Sequence, residues 1–179
     1  NSRTAIGTIL PRYPCGNSAP ILTFDGGDLA EKPVLFTTVF TSFVFDFALQ
    51  QSLGGANFNY YILKQLPMPT PKTLEQTDIE LEGEKTSLRE FLLTRGGELI
   101  WTSHSLDSLG EEISSTVGNG PFEWNEERRS KLREEIDEAV AKAYDLSREE
   151  FEYILDSFEI LEEIEQEEYG EYKRKKECL

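Results

Sequence analysis

The stretch Leu35–Pro69, LFTTVFTSFVFDFALQQSLGGANFNYYILKQLPMP, decides how this chain is read. From Leu35 to Gln51 it contains neither proline nor glycine, and Phe36, Phe40, Phe43 and Phe47 recur at i, i+4, i+7 and i+11. That spacing predicts one helix with four rings on a single face. Thr37, Thr38 and Thr41 are β-branched and lean toward strand, but the length and period of the run favour helix. Phe45 and Leu49 fall on the opposite side, so protein is expected against both faces. Gly54-Gly55 is expected to end the helix. Asn57–Leu63 is aromatic-rich and bounded by glycine and proline, and reads as a short strand. Pro67 and Pro69 lack a backbone donor, so no central strand continues through them.

Upstream, Thr4–Leu10 alternates weakly and reads as a strand, Pro11–Pro20 as a loop, and Ile21–Phe24 as a second strand. Asp25-Gly26-Gly27-Asp28 then forms a turn. Downstream, the polar stretch Thr70–Lys85 reads as a linker or long loop. Ser87–Leu93 resumes helical spacing until Gly96-Gly97 interrupts it. Leu106, Leu109 and Ile113 suggest a further helical turn capped by Ser105 or Asp107. After the break at Val117–Pro121, Asn125 caps a helix with Glu126 and Glu127 in its first turn. Leu132, Ile136, Ala139, Val140 and Ala143 form its apolar stripe. Its other face is charged, with Lys131, Arg133, Glu134, Glu135, Asp137, Glu138 and Lys142. Ser147 and Glu150 make a capping box for a helix burying Phe151, Ile154, Leu155 and Phe158. An acidic helix follows over Glu159–Tyr169, and then the basic run Lys173-Arg174-Lys175-Lys176, read as a solvated end. The fold class expected is α+β: a small mixed β-sheet with a buried helix, followed by a mainly helical C-terminal part. The segments fall at 1–69, 70–120 and 121–179.

The formal net charge of the 179 residues is −16, from 18 basic and 34 acidic side chains. This is an awkward balance for a nucleic-acid reader, whose affinity comes from neutralising phosphates. The charge is uneven, however. Residues 1–69 set Arg3, Arg12, Lys32 and Lys64 against Asp25, Asp28, Glu31 and Asp46, so they are neutral and the whole excess lies in 70–179. No window approaches the roughly 18 continuous apolar residues of a membrane span. Cys15 and Cys178 stand near opposite ends without metal-ligand spacing, as expected of two free thiols in the reducing cytoplasm. His104 has no ligand cluster around it and reads as a surface or structural residue.

Thr41-Ser42-Phe43-Val44-Phe45-Asp46, Gly54-Gly55, Asn59, Leu63 and Leu66-Pro67-Met68-Pro69 stand in the order N/T-S-x-V-F-D, G-G, N-x-x-x-L-x-x-L-P-x-P. This arrangement resembles the target-recognition segment of bacterial adenine-specific DNA methyltransferases. It is seen in type IIG restriction–modification enzymes and their TaqI-like C-terminal specificity domains. Pro121-Phe122-Glu123-Trp124, Ala143–Ser147, Tyr153–Phe158 and Tyr169–Tyr172 resemble the C-terminal helical end of the same enzymes. The resemblance implies that double-stranded DNA is the partner and that the chain is a C-terminal portion of a longer polypeptide, docked on that parent's catalytic domain. It implies S-adenosylmethionine as the parent's cofactor and none here. The chain has no N-P-P-Y or D-P-P-Y tetrad and no glycine-rich nucleotide loop, so catalysis is expected upstream. Asn57, Asn59, Tyr60 and Lys64, with Arg12 and Gln50 behind them, are the candidate DNA contacts. Amides suit adenine edges, while Arg and Lys suit phosphate or guanine. The plainer alternative has Asn59 tying down a strand edge and Asn57 serving the turn after Gly55. A rival function is an acidic protein-interaction module or DNA mimic that blocks a DNA-binding partner.

Overall fold

A computed structural model describes residues 2–11, 13–16, 19–53, 59–81 and 84–179. Helices make up most of the described residues, and a two-stranded antiparallel sheet supplies the β component, so the fold is α+β with a mainly helical C-terminal part. In chain order the elements are α1 (Glu31–Phe40), α2 (Phe43–Ser52), α3 (Tyr60–Leu63), α4 (Pro71–Gln76), β1 (Asp78–Leu81), β2 (Glu84–Ser87) and α5 (Leu88–Ile100). A 3-10 turn at His104–Leu106 leads into α6 (Asp107–Val117). Then come α7 (Glu126–Ala143), α8 (Arg148–Asp156), α9 (Glu159–Tyr169) and α10 (Lys173–Cys178).

The phenylalanine run is two helices rather than one, bent by 69° between α1 and α2. The break falls at Thr41-Ser42, where Ser42 turns extended and its hydroxyl accepts a hydrogen bond from Phe45 N. A serine N-cap competes well with helix continuation because it satisfies a donor left open at a helix start. The bend also redistributes the rings. Phe36 stacks on Phe40 and meets Phe24 edge-on, whereas Phe43 packs against Phe158 and Phe47 against Tyr153. Protein does cover both sides, since Phe45 and Leu49 are buried.

The sheet lies elsewhere than expected. Thr4–Leu10 and Ile21–Phe24 form no strand, and their apolar side chains Ile6, Leu10, Ile21 and Leu22 remain exposed. The backbone donors of Thr4 and Ala5 bond to the Asp46 carboxylate on α2 instead of to a neighbouring strand. Tyr60–Leu63 is one helical turn, because the Asn59 amide oxygen caps it. Gly54, Gly55 and Asn57 lie outside the described residues; α2 itself stops at Ser52. The supposed linker 70–85 holds α4, capped by Thr70, and most of the β1–β2 hairpin, in register Asp78↔Ser87 through Leu81↔Glu84.

Helix α5 is the hub, packing against α1, α4, α6 and α7. It runs unbroken through Gly96-Gly97. A Cβ on Gly96 would sit 1.8 Å from Thr38 Oγ1, and one on Gly97 would sit 2.7 Å from Val117, so the pair buys close approach of α1 and α6. The main core joins Phe43, Phe45 and Leu49 of α2 to Leu88 and Leu92 of α5, Ile136 and Val140 of α7, and Leu155 of α8. Burial of each such side chain contributes about 1.5–3 kcal/mol. This core draws on all three sequence segments. A second cluster gathers Ala30, Val34, Leu93, Ile113 and Val117. Asn125 caps α7, and Ser147 with Glu150 forms the capping box of α8, both as the sequence predicts. Neither Ser105 nor Asp107 caps the helix of Leu109 and Ile113: α6 starts without a side-chain cap, and Ser103 caps the 3-10 turn ahead of it.

Among the described residues no single helix is long and apolar enough to cross a membrane. Only the bent α1–α2 pair meets the length and composition, and both helices carry core residues.

Candidate functional site

Of the candidate contacts, Asn59, Tyr60 and Lys64 come together around α3, which packs on α2, the helix that carries half-buried Gln50. Arg12 and Asn57 lie outside the described residues. Asn59 spends its amide oxygen on Ile62 N at 3.1 Å, which fits the plainer alternative of a structural role, though on a helix rather than a strand. Tyr60 is 61% exposed and its neighbour Tyr61 75%, so two ring faces stand open to solvent. The Lys64 ammonium lies 4.5 Å from the Tyr60 ring centroid, a cation–π contact that holds the charge beside the ring. Tyr61 was not singled out in the sequence, although its position next to Tyr60 was the available signal.

A second feature has no local signature. The N-terminal segment, α1, α5, α7 and α10 enclose a cleft of about 520 Å³ whose charged lining is Arg3, Arg129, Arg133, Arg174 and a single carboxylate, Asp137. In a chain with 34 acidic and 18 basic residues, four cations against one acid is the reverse of the average. The four are partnered unequally. Arg3 is committed: its guanidinium donates to the fully buried Asp46 carboxylate and to Thr41 O, and lies over the Phe43 ring. Arg174 has Glu134 at 3.8 Å and donates weakly to Ser130 O at 3.4 Å. Arg129 donates to Leu99 O and stacks 3.7 Å over Trp124, yet its buried Nε–H finds no acceptor. Arg133 makes no hydrogen bond or ion pair among the described residues.

The electrostatics match this geometry. Arg133 keeps much of its side chain in solvent, but enough protein surrounds it that desolvation is the first cause depressing its pKa, followed by Arg174; Glu126 opposes the shift, Arg3 adds to it, and Asp137 opposes it more weakly. Arg129 is depressed by burial first and by Arg133 second. Asp137, on the face of α7 that the sequence marks as charged, is 3% exposed and accepts from Phe43 N at 2.9 Å. Burial raises its pKa to about 6 against the opposing pull of Arg3 and Arg174. Its burial follows from its task, which is to satisfy the first open N–H of α2.

The basic run at the end is folded rather than solvated. Within α10, Lys175 pairs with Asp156 at 2.6 Å and Glu152 at 2.9 Å, and Lys176 with Glu171 at 2.8 Å. Only Arg174 of this run reaches the cleft. Cys15 and Cys178 are free thiols, and burial raises the pKa of Cys178. His104 is exposed and pairs with Asp107 at 2.9 Å. No group of three or more His, Cys, Asp or Glu among the described residues is placed to hold a metal ion.

No known protein family, curated protein or solved structure matches this chain.

Proposed function

We propose that the chain is the DNA target-recognition and C-terminal region of an adenine-specific DNA methyltransferase or type IIG restriction–modification enzyme. On this reading it grips duplex DNA while the parent's catalytic domain, using S-adenosylmethionine, methylates an adenine turned out of the helix. The observation that carries the reading is the α3 corner. Tyr60, Tyr61 and Lys64 stand on and beside one exposed turn, within the segment that bears none of the chain's net charge. Open aromatic faces suit stacking or sugar contacts, and a lysine held beside them suits a phosphate. The acidic outer helices, such as α9 with Glu163, Glu167 and Glu168 exposed, favour a second reading as a module that mimics DNA charge toward a basic partner.

Duplex binding measured by fluorescence anisotropy over a series of salt concentrations separates the two. Recognition predicts that Lys64→Ala weakens binding and lowers the salt slope by about one. An unchanged slope removes Lys64 from the phosphates. Tight binding of a basic DNA-processing protein with no duplex affinity favours mimicry.

A further inference from the structure

The arginine-lined cleft calls for an explanation that the fold does not supply. Four guanidinium groups gathered in one concavity repel one another, and only Arg3 is fully answered by an internal acid. Arg133 projects from a helix rich in glutamate without pairing to any of them, and the Arg129 Nε–H is buried without an acceptor. A buried donor left unmade is costly, and clefts lined with one sign of charge concentrate the opposite ion. From this juxtaposition we infer that the cleft binds a phosphate group, with Arg133 and Arg129 supplying the donors that the protein leaves open.

Phosphate fits better than a carboxylate for two reasons. Its several oxygens can accept from guanidinium forks arriving from different elements, a geometry to which arginine is suited. The cleft, at about 520 Å³, is also much larger than a bare anion, and exposed Trp124 lies in its lining beside Arg129. That leaves room for a phosphate carried on a sugar or base, with an aromatic face to lie against. A phosphodiester of a nucleic-acid backbone and a free phosphate ester share this chemistry. The inference stands on the cleft alone and does not require the α3 corner to read DNA.

The test titrates the full chain by calorimetry with sodium phosphate, with sodium acetate at equal ionic strength, and with a short blunt duplex. The same titrations are run on Arg133→Gln and on Lys131→Gln, which removes an equal charge from the same helix outside the cleft. Arg133 is exposed and unpaired, so its substitution leaves the packing intact. We expect phosphate or duplex to bind about tenfold or more weakly to Arg133→Gln, as for loss of one charge-assisted hydrogen bond, and nearly normally to Lys131→Gln. An effect on inorganic phosphate alone identifies a free phosphate ester as the source; an effect on the duplex identifies the backbone. The inference is overturned if acetate binds as well as phosphate, if neither phosphate nor duplex binds, or if the two variants behave alike. Duplex binding sensitive to Lys64→Ala, with neither phosphate nor duplex binding changed by Arg133→Gln, would sink the cleft and spare the α3 corner; duplex binding sensitive to Arg133→Gln but not to Lys64→Ala would do the opposite.

Discussion

Asp137 concentrates the tension in this molecule. A carboxylate sealed against the start of α2 gives its N–H an acceptor, but the charged form lacks water, and its pKa rises to about 6. In the unfolded chain it titrates near 3.9. Between those values the folded protein binds the extra proton, so this residue's contribution to stability falls as pH rises from about 4 to about 6 and stays lost above. Asp137→Asn keeps a carbonyl acceptor and removes the charge. It should therefore be more stable than the parent at pH 7.5, by up to about 3 kcal/mol, with the gap closing near pH 4. Urea unfolding of both proteins at the two pH values checks this; a gap that widens on acidification refutes it. In the sequence Asp137 is one of several charged residues on one face of a helix, with nothing local to set it apart. Its burial depends on where α2 begins, 94 residues away in the chain.

Among the elements, those fixed by neighbouring residues were legible and those fixed by distant ones were not. Asn125 and the Ser147–Glu150 box act within one turn, so the starts of α7 and α8 follow from the sequence. The 69° bend was hidden because the four phenylalanines keep a helical period straight across Ser42. Asn59 was legible as a polar residue but not as the cap that turns a β-like string of aromatics into a helical turn. Gly96-Gly97 was read as a breaker, which is sound for an isolated helix, where glycine costs about 1 kcal/mol against alanine. Here the pair sits inside α5 because Thr38 and Val117 occupy the space a side chain would need. Gly96→Ala should accordingly destabilise the protein by about 1–3 kcal/mol despite its better helix propensity, since buried Thr38 also holds its hydroxyl on Val34 O. Thermal or denaturant unfolding gives the answer, and an equal or higher stability would mean that α1 shifts freely away from α5.

At the scale of the whole molecule, the α+β class and the helical C-terminal part were accessible from periodicity, whereas the arginine cleft was not. Its lining comes from positions 3, 129, 133 and 174, which only the packed fold brings together. Charge sets another global property. With a net −16 carried by residues 70–179, self-repulsion should outweigh the relief from ion pairs, many of which are exposed and individually weak. Raising sodium chloride from low to moderate concentration should therefore raise the thermal midpoint by a few degrees, on the order of 1 kcal/mol. A midpoint that falls on adding salt would show that the surface pairs outweigh the repulsion.

The two tryptophans sit in opposite surroundings. Trp101 is wedged against Gly110 and Gly120 with its indole N–H donated to Asp107, and Trp124 stands open at the arginines. The protein should thus carry a built-in optical pair, a shielded emitter that is the bluer and a solvent-exposed one that is the redder. A collisional quencher such as iodide would reach the second far more readily than the first. Whatever lodges beside Arg129 should announce itself by dimming or protecting that second emitter, with no dye attached.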